Sequence, residues 1–224
     1  DSLVENQFTR QYLYRSGELW NCLYQQYQNQ GNTSFKSCLL KGIHTKVDWI
    51  KRIPNISSTL RDSIMAENFL WLIRNVYPDK KVIIWAHNEH IAKSNDAFKD
   101  HGAKSGVWSS GSMGSRLPDS IRSKSYVLGL FAFEGETYNY GPPVCTIADS
   151  KSNSLGAIFN AAGFDIGFAD FSKQTPNKYN SWMFQKIDVV SYCLQRYKMT
   201  PDDRYDGIIM IKDVHPITIK HGTN

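Results

Sequence analysis

The chain has 224 residues, enough for one large domain or two small ones, with 41% hydrophobic and 21% charged residues, both ordinary for a globular protein. Its formal net charge of +5 is scattered rather than clustered, which argues against nucleic acid as a partner. The longest apolar run, 126–133, holds eight residues including a glycine, where a membrane span needs about 20, so no span is expected.

Residues 2 to about 30 read as a helix. Leu3, Phe8, Tyr12, Leu19, Leu23 and Tyr27 fall near helical spacing, and Gly31 with Asn32 ends the pattern. Residues 33–56 are mixed and suggest no regular element. Ser57 or Ser58 can cap a helix that runs to about Val76, where "YPDKK" breaks it. "KVIIWA" follows, a short apolar run rich in β-branched residues that suits a strand buried on both faces. Residues 92–111 are polar, with Trp108 the exception, and read as a loop long enough to be a mobile lid beside a cleft. "SMGSRLPDSIRSK" suggests a short helix bent or restarted at Pro118.

"SYVLGLFAF" reads as a second buried strand and "EGETYNYGPP" as an exposed turn. "SNSLGAIFNAAGF" has a serine cap and a glycine stop, "DIGFADF" suits a third strand, and "YDGIIMIKDV" a last one. Helices alternating with buried strands predict an α/β architecture, with a largely parallel central sheet flanked by helices, forming one domain or part of one. Cys22, Cys38, Cys145 and Cys193 show no CxxC spacing. Read as lone thiols, they lean toward a reducing, cytoplasmic setting.

The stretch "IIWAHNEHIAK" poses the chemical question. Ligands of open α/β sheets bind beyond the carboxyl ends of strands, where His87 stands. His87 and His90 are three apart, so they share a face only if the chain turns helically after Ala86. Two imidazoles can supply a general base, a general acid or hydrogen bonds to an oxyanion. The plain alternative is a hydrogen-bonded pair that closes a strand end. Asn88 either fixes an imidazole tautomer or holds the turn. Glu89 between the histidines resembles part of a metal site, with His101 or Glu134 as a third ligand. Zinc-binding HExxH pairs are four apart, however, and nothing singles out the third ligand, so no metal or other cofactor is expected. In the helix after Ser58, Asp62 suits the first turn, while Arg61 does not and calls for a partner elsewhere. Met113 and Gly114 open a helix after a glycine-rich loop, but without the lysine and glycine spacing of a phosphate loop. No G-x-S-x-G marks a serine nucleophile.

Taken in order, "RDSIMAENFLWL", "KVIIWAHNEHIAK", "SMGSRL", "YVLGLFAFEGE" and "YDGIIMI" resemble the erythromycin esterase family over about residues 55–215, and the HNxH element is the most specific of them. The resemblance implies an α/β protein with a deep cleft that hydrolyses the lactone ester of macrolide antibiotics without a metal. A histidine activates water there, and other histidines, a glutamate and an arginine line the pocket. His87 and His90 match the HNxH histidines and are the expected catalytic residues. Asn88, Arg61, Met113 and Trp108 are expected to bind substrate. The family's N-terminal histidine base has no counterpart before residue 55, since His44 in "GIHTKVDW" sits in a different setting. Residues 1–224 are therefore expected to be the C-terminal portion of an esterase-like domain. Its partners would be an ester or lactone substrate and the missing N-terminal half. The alternative is a non-catalytic, small-molecule-binding member of the same family.

Overall fold

A computed structural model describes residues 34–52, 58–94, 111–138, 144–149, 151–191 and 195–216, with a few more between 17 and 25. The chain divides into two units at Ile84 and Trp85. The helix expected over 2–30 falls largely outside the described residues.

The first unit contains helices α1 (Ser34–Arg52) and α2 (Ser58–Asn75). The sequence suggested α2 but not α1. Gly42 and the β-branched Thr45 and Val47 weaken the helical signal. Burial overrides it: Ile43 and Val47, one turn apart, are 3% and 4% exposed. The helix stops two residues before Pro54, which disfavours helical backbone in the residue preceding it. Thr45 Oγ1 donates to Asn68 Oδ1 at 2.9 Å, joining α1 to α2.

The segment "KVIIWA" is a correction. It lies outside any helix or strand, and Ile83 and Trp85 are 92% and 89% exposed. A strand requires a hydrogen-bonded neighbour, and among the described residues no strand pairs with this one.

The second unit is built on a four-stranded sheet of order β2-β1-β6-β3, from β1 (Leu128–Tyr138), β2 (Val144–Ala148), β3 (Ile166–Asp170) and β6 (Gly207–Val214). The architecture is α/β and the sheet is mixed. The central pair β1–β6 is parallel, and β2 and β3 run antiparallel on its flanks. β1 is longer than expected. "EGETY" belongs to the strand because Glu134–Tyr138 pair with β2, which confines the connection to 139–143. A separate hairpin, β4 (Ile187–Ser191) and β5 (Gln195–Met199), was not evident from the sequence. Among the described residues the unit also has the α-helices α3 (Asn88–Ile91), α4 (Asp119–Arg122), α5 (Leu155–Ala161) and α6 (Pro201–Arg204). Pro118 caps α4, the restart expected there. Ser154 Oγ accepts from the Ala157 N–H at 3.1 Å to start α5, and Gly163 at φ 78° follows its end.

Alternation along the strands sends Phe131, Ile208 and Met210 to one face, where they pack with Leu155, Val189 and Tyr205. Full burial of a side chain such as Leu155 or Ile208 contributes roughly 1.5–3 kcal/mol. The opposite face carries Leu130, Ile209 and Phe168 in one cross-strand row and Ala132, Ile211 and Ile166 in the next. On that face Leu130, Phe168 and Ile166 are 42%, 60% and 68% exposed.

Candidate functional site

The chain arrives at His87 with extended backbone (φ −61°, ψ 146°) and then turns helically into α3. His87 occupies the N-cap position, and its Nδ1 accepts the Glu89 N–H at 3.3 Å. An imidazole that accepts at Nδ1 carries its proton on Nε2 when neutral. Lost hydration is the main reason that the pKa of His87 lies below 6.5, the ordinary histidine value. Glu89 opposes that shift, while His90 and Arg204 reinforce it. His87 at neutral pH is thus an uncharged ring with an Nε2–H donor.

Asn88 ties the turn to the sheet. Its amide nitrogen donates to Leu130 O at 2.6 Å, and its Oδ1 accepts from the Leu130 N–H at 2.9 Å. The side chain imitates a neighbouring strand along the part of β1 that β2 does not reach. Asn88 was expected to contact substrate; its amide holds the backbone of β1, and the residue also borders the cleft.

Glu89 and His90 point inward, at 0% and 7% exposure. Arg204 Nη2 donates to Glu89 Oε2 at 2.6 Å, and the Tyr197 hydroxyl donates to Oε1 at 3.2 Å. The adjacent carboxylate and the burial hold the Tyr197 hydroxyl well above its ordinary pKa, burial being the larger cause. The guanidinium lies 5.5 Å from the ring centre of Tyr197 and 5.7 Å from that of Tyr205. Sequence reasoning noted Glu89 only as a possible ligand and missed Arg204 and Tyr197, because their link to Glu89 spans more than 100 positions.

"SMGS" closes the other end of the turn. Ser112 Oγ, fully buried, donates to Ala92 O at 2.6 Å and accepts from the Ser115 N–H at 3.0 Å. Gly114 lies so close that a β-carbon there would stand 2.2 Å from Ile91 O. Gly114, expected to open a helix after the glycine-rich loop, opens a 3-10 turn (Gly114–Arg116) packed on the carbonyl end of α3. Met113, an expected substrate contact, is buried beside it at 3% exposure.

His87 and Asn88 line a cleft of about 280 Å³ with residues that include Leu130, Phe131, Ile147, Val190 and Ile211. His90 and Met113 are not among its lining residues. Arg61 is exposed on α2 in the first unit, while Trp108, His101 and most of the 92–111 loop fall outside the described residues. Among the described residues, no three His, Cys, Asp or Glu side chains gather as a metal site. No helix among them is long and apolar enough to cross a membrane. Cys145 is disulfide-bonded and so is not the lone thiol expected, whereas Cys22 and Cys38 are free.

Comparison with known proteins adds sequence and fold evidence. Residues 39–214 match the family described as Erythromycin esterase. The chain is 30% identical over 178 residues to the putative hydrolase YbfO of Bacillus subtilis (strain 168), covering 77% of this chain and 39% of YbfO. It is 34% identical over 86 residues to erythromycin esterase type II of Escherichia coli, covering 38% and 19% of the two chains. Two solved structures share the fold, each over 92% of this chain. A succinoglycan biosynthesis protein aligns with a TM-score of 0.66 at 16% identity, over 51% of its own chain. A mutant of the erythromycin esterase EreC in its open conformation aligns with a TM-score of 0.57 at 14% identity, over 52% of its chain. The chain thus spans about half the length of these structures and less of the curated relatives. With the family match running through the helix of Arg61, the histidine turn and the last strand, the chain belongs to the erythromycin esterase family.

Proposed function

We propose that the chain carries part of the active site of a metal-independent ester hydrolase whose substrate is an ester or macrolactone. The reading rests on family membership and on one observation: His87 lines the cleft as a neutral ring with Nδ1 occupied by backbone. Such a ring serves as a hydrogen-bond donor rather than as the base. In the reaction, a water oxygen attacks the ester carbonyl carbon while a base takes a water proton. The carbonyl oxygen becomes an oxyanion that the His87 Nε2–H stabilises. Collapse of the tetrahedral intermediate breaks the carbon–oxygen bond of the leaving alkoxide, which takes up a proton. The products are a carboxylic acid and an alcohol, joined in one molecule when a lactone opens. The base would come from the part of the family domain that this chain does not span. The same site in a macrolide-opening member would confer antibiotic resistance.

His90, buried behind the turn, supports the position of His87 in this scheme. Asn88, Arg61, Met113 and Trp108 remain proposed substrate contacts of the assembled domain. A second reading, a non-catalytic small-molecule-binding member, is favoured by the mostly apolar lining of the cleft. Macrolides and simple lactones incubated with the full-length protein, followed by mass spectrometry, separate the two. Addition of water that is lost in His87→Asn supports hydrolysis. Binding without any mass change in the wild type supports the second reading.

A further inference from the structure

We infer that Arg204 is a positioning residue for this site: through Glu89, its guanidinium holds the turn that aims the His87 ring at the cleft. The inference rests on the hydrolase reading for its catalytic meaning, but its structural basis is independent of that reading.

Helix α3 has four residues. A single turn that short has almost no stability of its own, since one turn fixes several dihedral angles for very few internal hydrogen bonds. Its shape must come from what it touches. Glu89 is fully buried and Arg204 is 1% exposed, and the two meet at 2.6 Å. Each carboxylate oxygen has its own donor, Arg204 on one and Tyr197 on the other. A buried carboxylate held in this way cannot swing out without leaving a charge stranded in the core. The same stretch of chain is tied again two residues beyond the helix. The Lys93 N–H donates to Arg204 O at 2.9 Å, and Lys93 Nζ pairs with Asp206 at 2.9 Å.

The coupling to His87 is direct. The residue whose side chain Arg204 grips is the one whose backbone N–H reaches His87 Nδ1. That contact selects the tautomer and the ring orientation. Arg204 is not among the residues that line the cleft; beside its electrostatic effect on the His87 ring, it reaches the turn through its bond to Glu89. The guanidinium grips Glu89 through one nitrogen while lying over the rings of Tyr197 and Tyr205, an arrangement that the compact ammonium of a lysine does not reproduce.

The test uses the full-length protein with two variants, Arg204→Lys and the charge-free pair Glu89→Gln with Arg204→Met. The second keeps the volume and removes both charges, which guards against a variant that simply fails to fold. Two readouts are taken on folded protein: the nitrogen-15 NMR signature of the His87 ring, and the kinetics of lactone hydrolysis. The expected result is a shift of His87 from one Nε2–H tautomer toward a mixture of both. A fall in kcat on the order of 10- to 100-fold should accompany it, with KM changed much less. A wild-type tautomer in either folded variant would overturn the inference, as would full kcat. If the tautomer shifts while even the wild type cleaves no lactone, the positioning role stands and the hydrolase reading falls.

Discussion

At the level of single residues, the site depends on how one histidine is held. His87 is legible in the sequence as the polar end of an apolar run, and its tautomer is not, because that follows from a backbone contact two residues on. Two predictions belong here. Replacing His87 by Asn should lower kcat for lactone opening by roughly 10²- to 10³-fold, the effect of removing one oxyanion donor, as measured by steady-state kinetics of the full-length protein. The second concerns pH. The native pKa of His87 is depressed below 6.5, foremost by burial, so the folded state resists protonation more than the unfolded chain does. The stabilising contribution of the neutral ring is therefore complete above pH 6.5. It declines as the pH falls from 6.5 through the lower native value. Thermal unfolding followed across that interval should show a shallower loss of Tm for His87→Asn than for the wild type.

At the level of elements, the continuous apolar strands β1, β3 and β6 and the capped helix α5 could be read from sequence, because buried strands and serine caps leave local marks. The hairpin β4–β5 could not. "KIDVVSYCLQRYKM" mixes charged with apolar residues and offers no glycine or proline at its turn. α1 was hidden by residues with poor helix propensity whose burial outweighs it. "KVIIWA" misled in the other direction, since its composition fits a strand whose partner is not among the described residues. The histidine turn is held on three sides by elements distant in sequence, and each hold can be tested. A methyl group at position 114 would collide with the backbone oxygens of Ile91 and Ala92 at 2.2 and 2.6 Å, neither of which can rotate away. Gly114→Ala should cost about 1–3 kcal/mol or more in chemical denaturation. Asn88→Ala should cost about 1–3 kcal/mol through its two lost bonds to Leu130. Asn88→Asp should recover little of this, because a carboxylate accepts from the Leu130 N–H but has nothing to donate to its carbonyl.

At the level of the whole molecule, the sheet of the second unit packs the core on one face and, among the described residues, leaves large apolar side chains exposed on the other. Composition and hydropathy could not reveal this, since Leu130, Ile166 and Phe168 look like any other core residues in sequence. A face of this kind attracts apolar partners of all sorts. Ile166→Lys with Phe168→Lys should leave the Tm of the 224-residue chain nearly unchanged, because both positions are already more than half exposed. The same pair should reduce both binding of a hydrophobic dye and light scattering. A large drop in Tm on making it would show that the face is packed in solution.

The grip of Arg204 on Glu89 also bears on when the site comes into being. Closing a loop of 115 residues is slow compared with forming local turns, and the residues that close this one lie just before the last strand of the sheet. During synthesis the histidines leave the ribosome long before the arginine that orders them. A chain stalled before position 204 should therefore carry an unformed site, however much of its first helices has folded. In the finished protein the converse holds: the Glu89 amide should exchange its hydrogen at the rate at which the 204–206 segment detaches, so the site and the sheet's last strand open as one event.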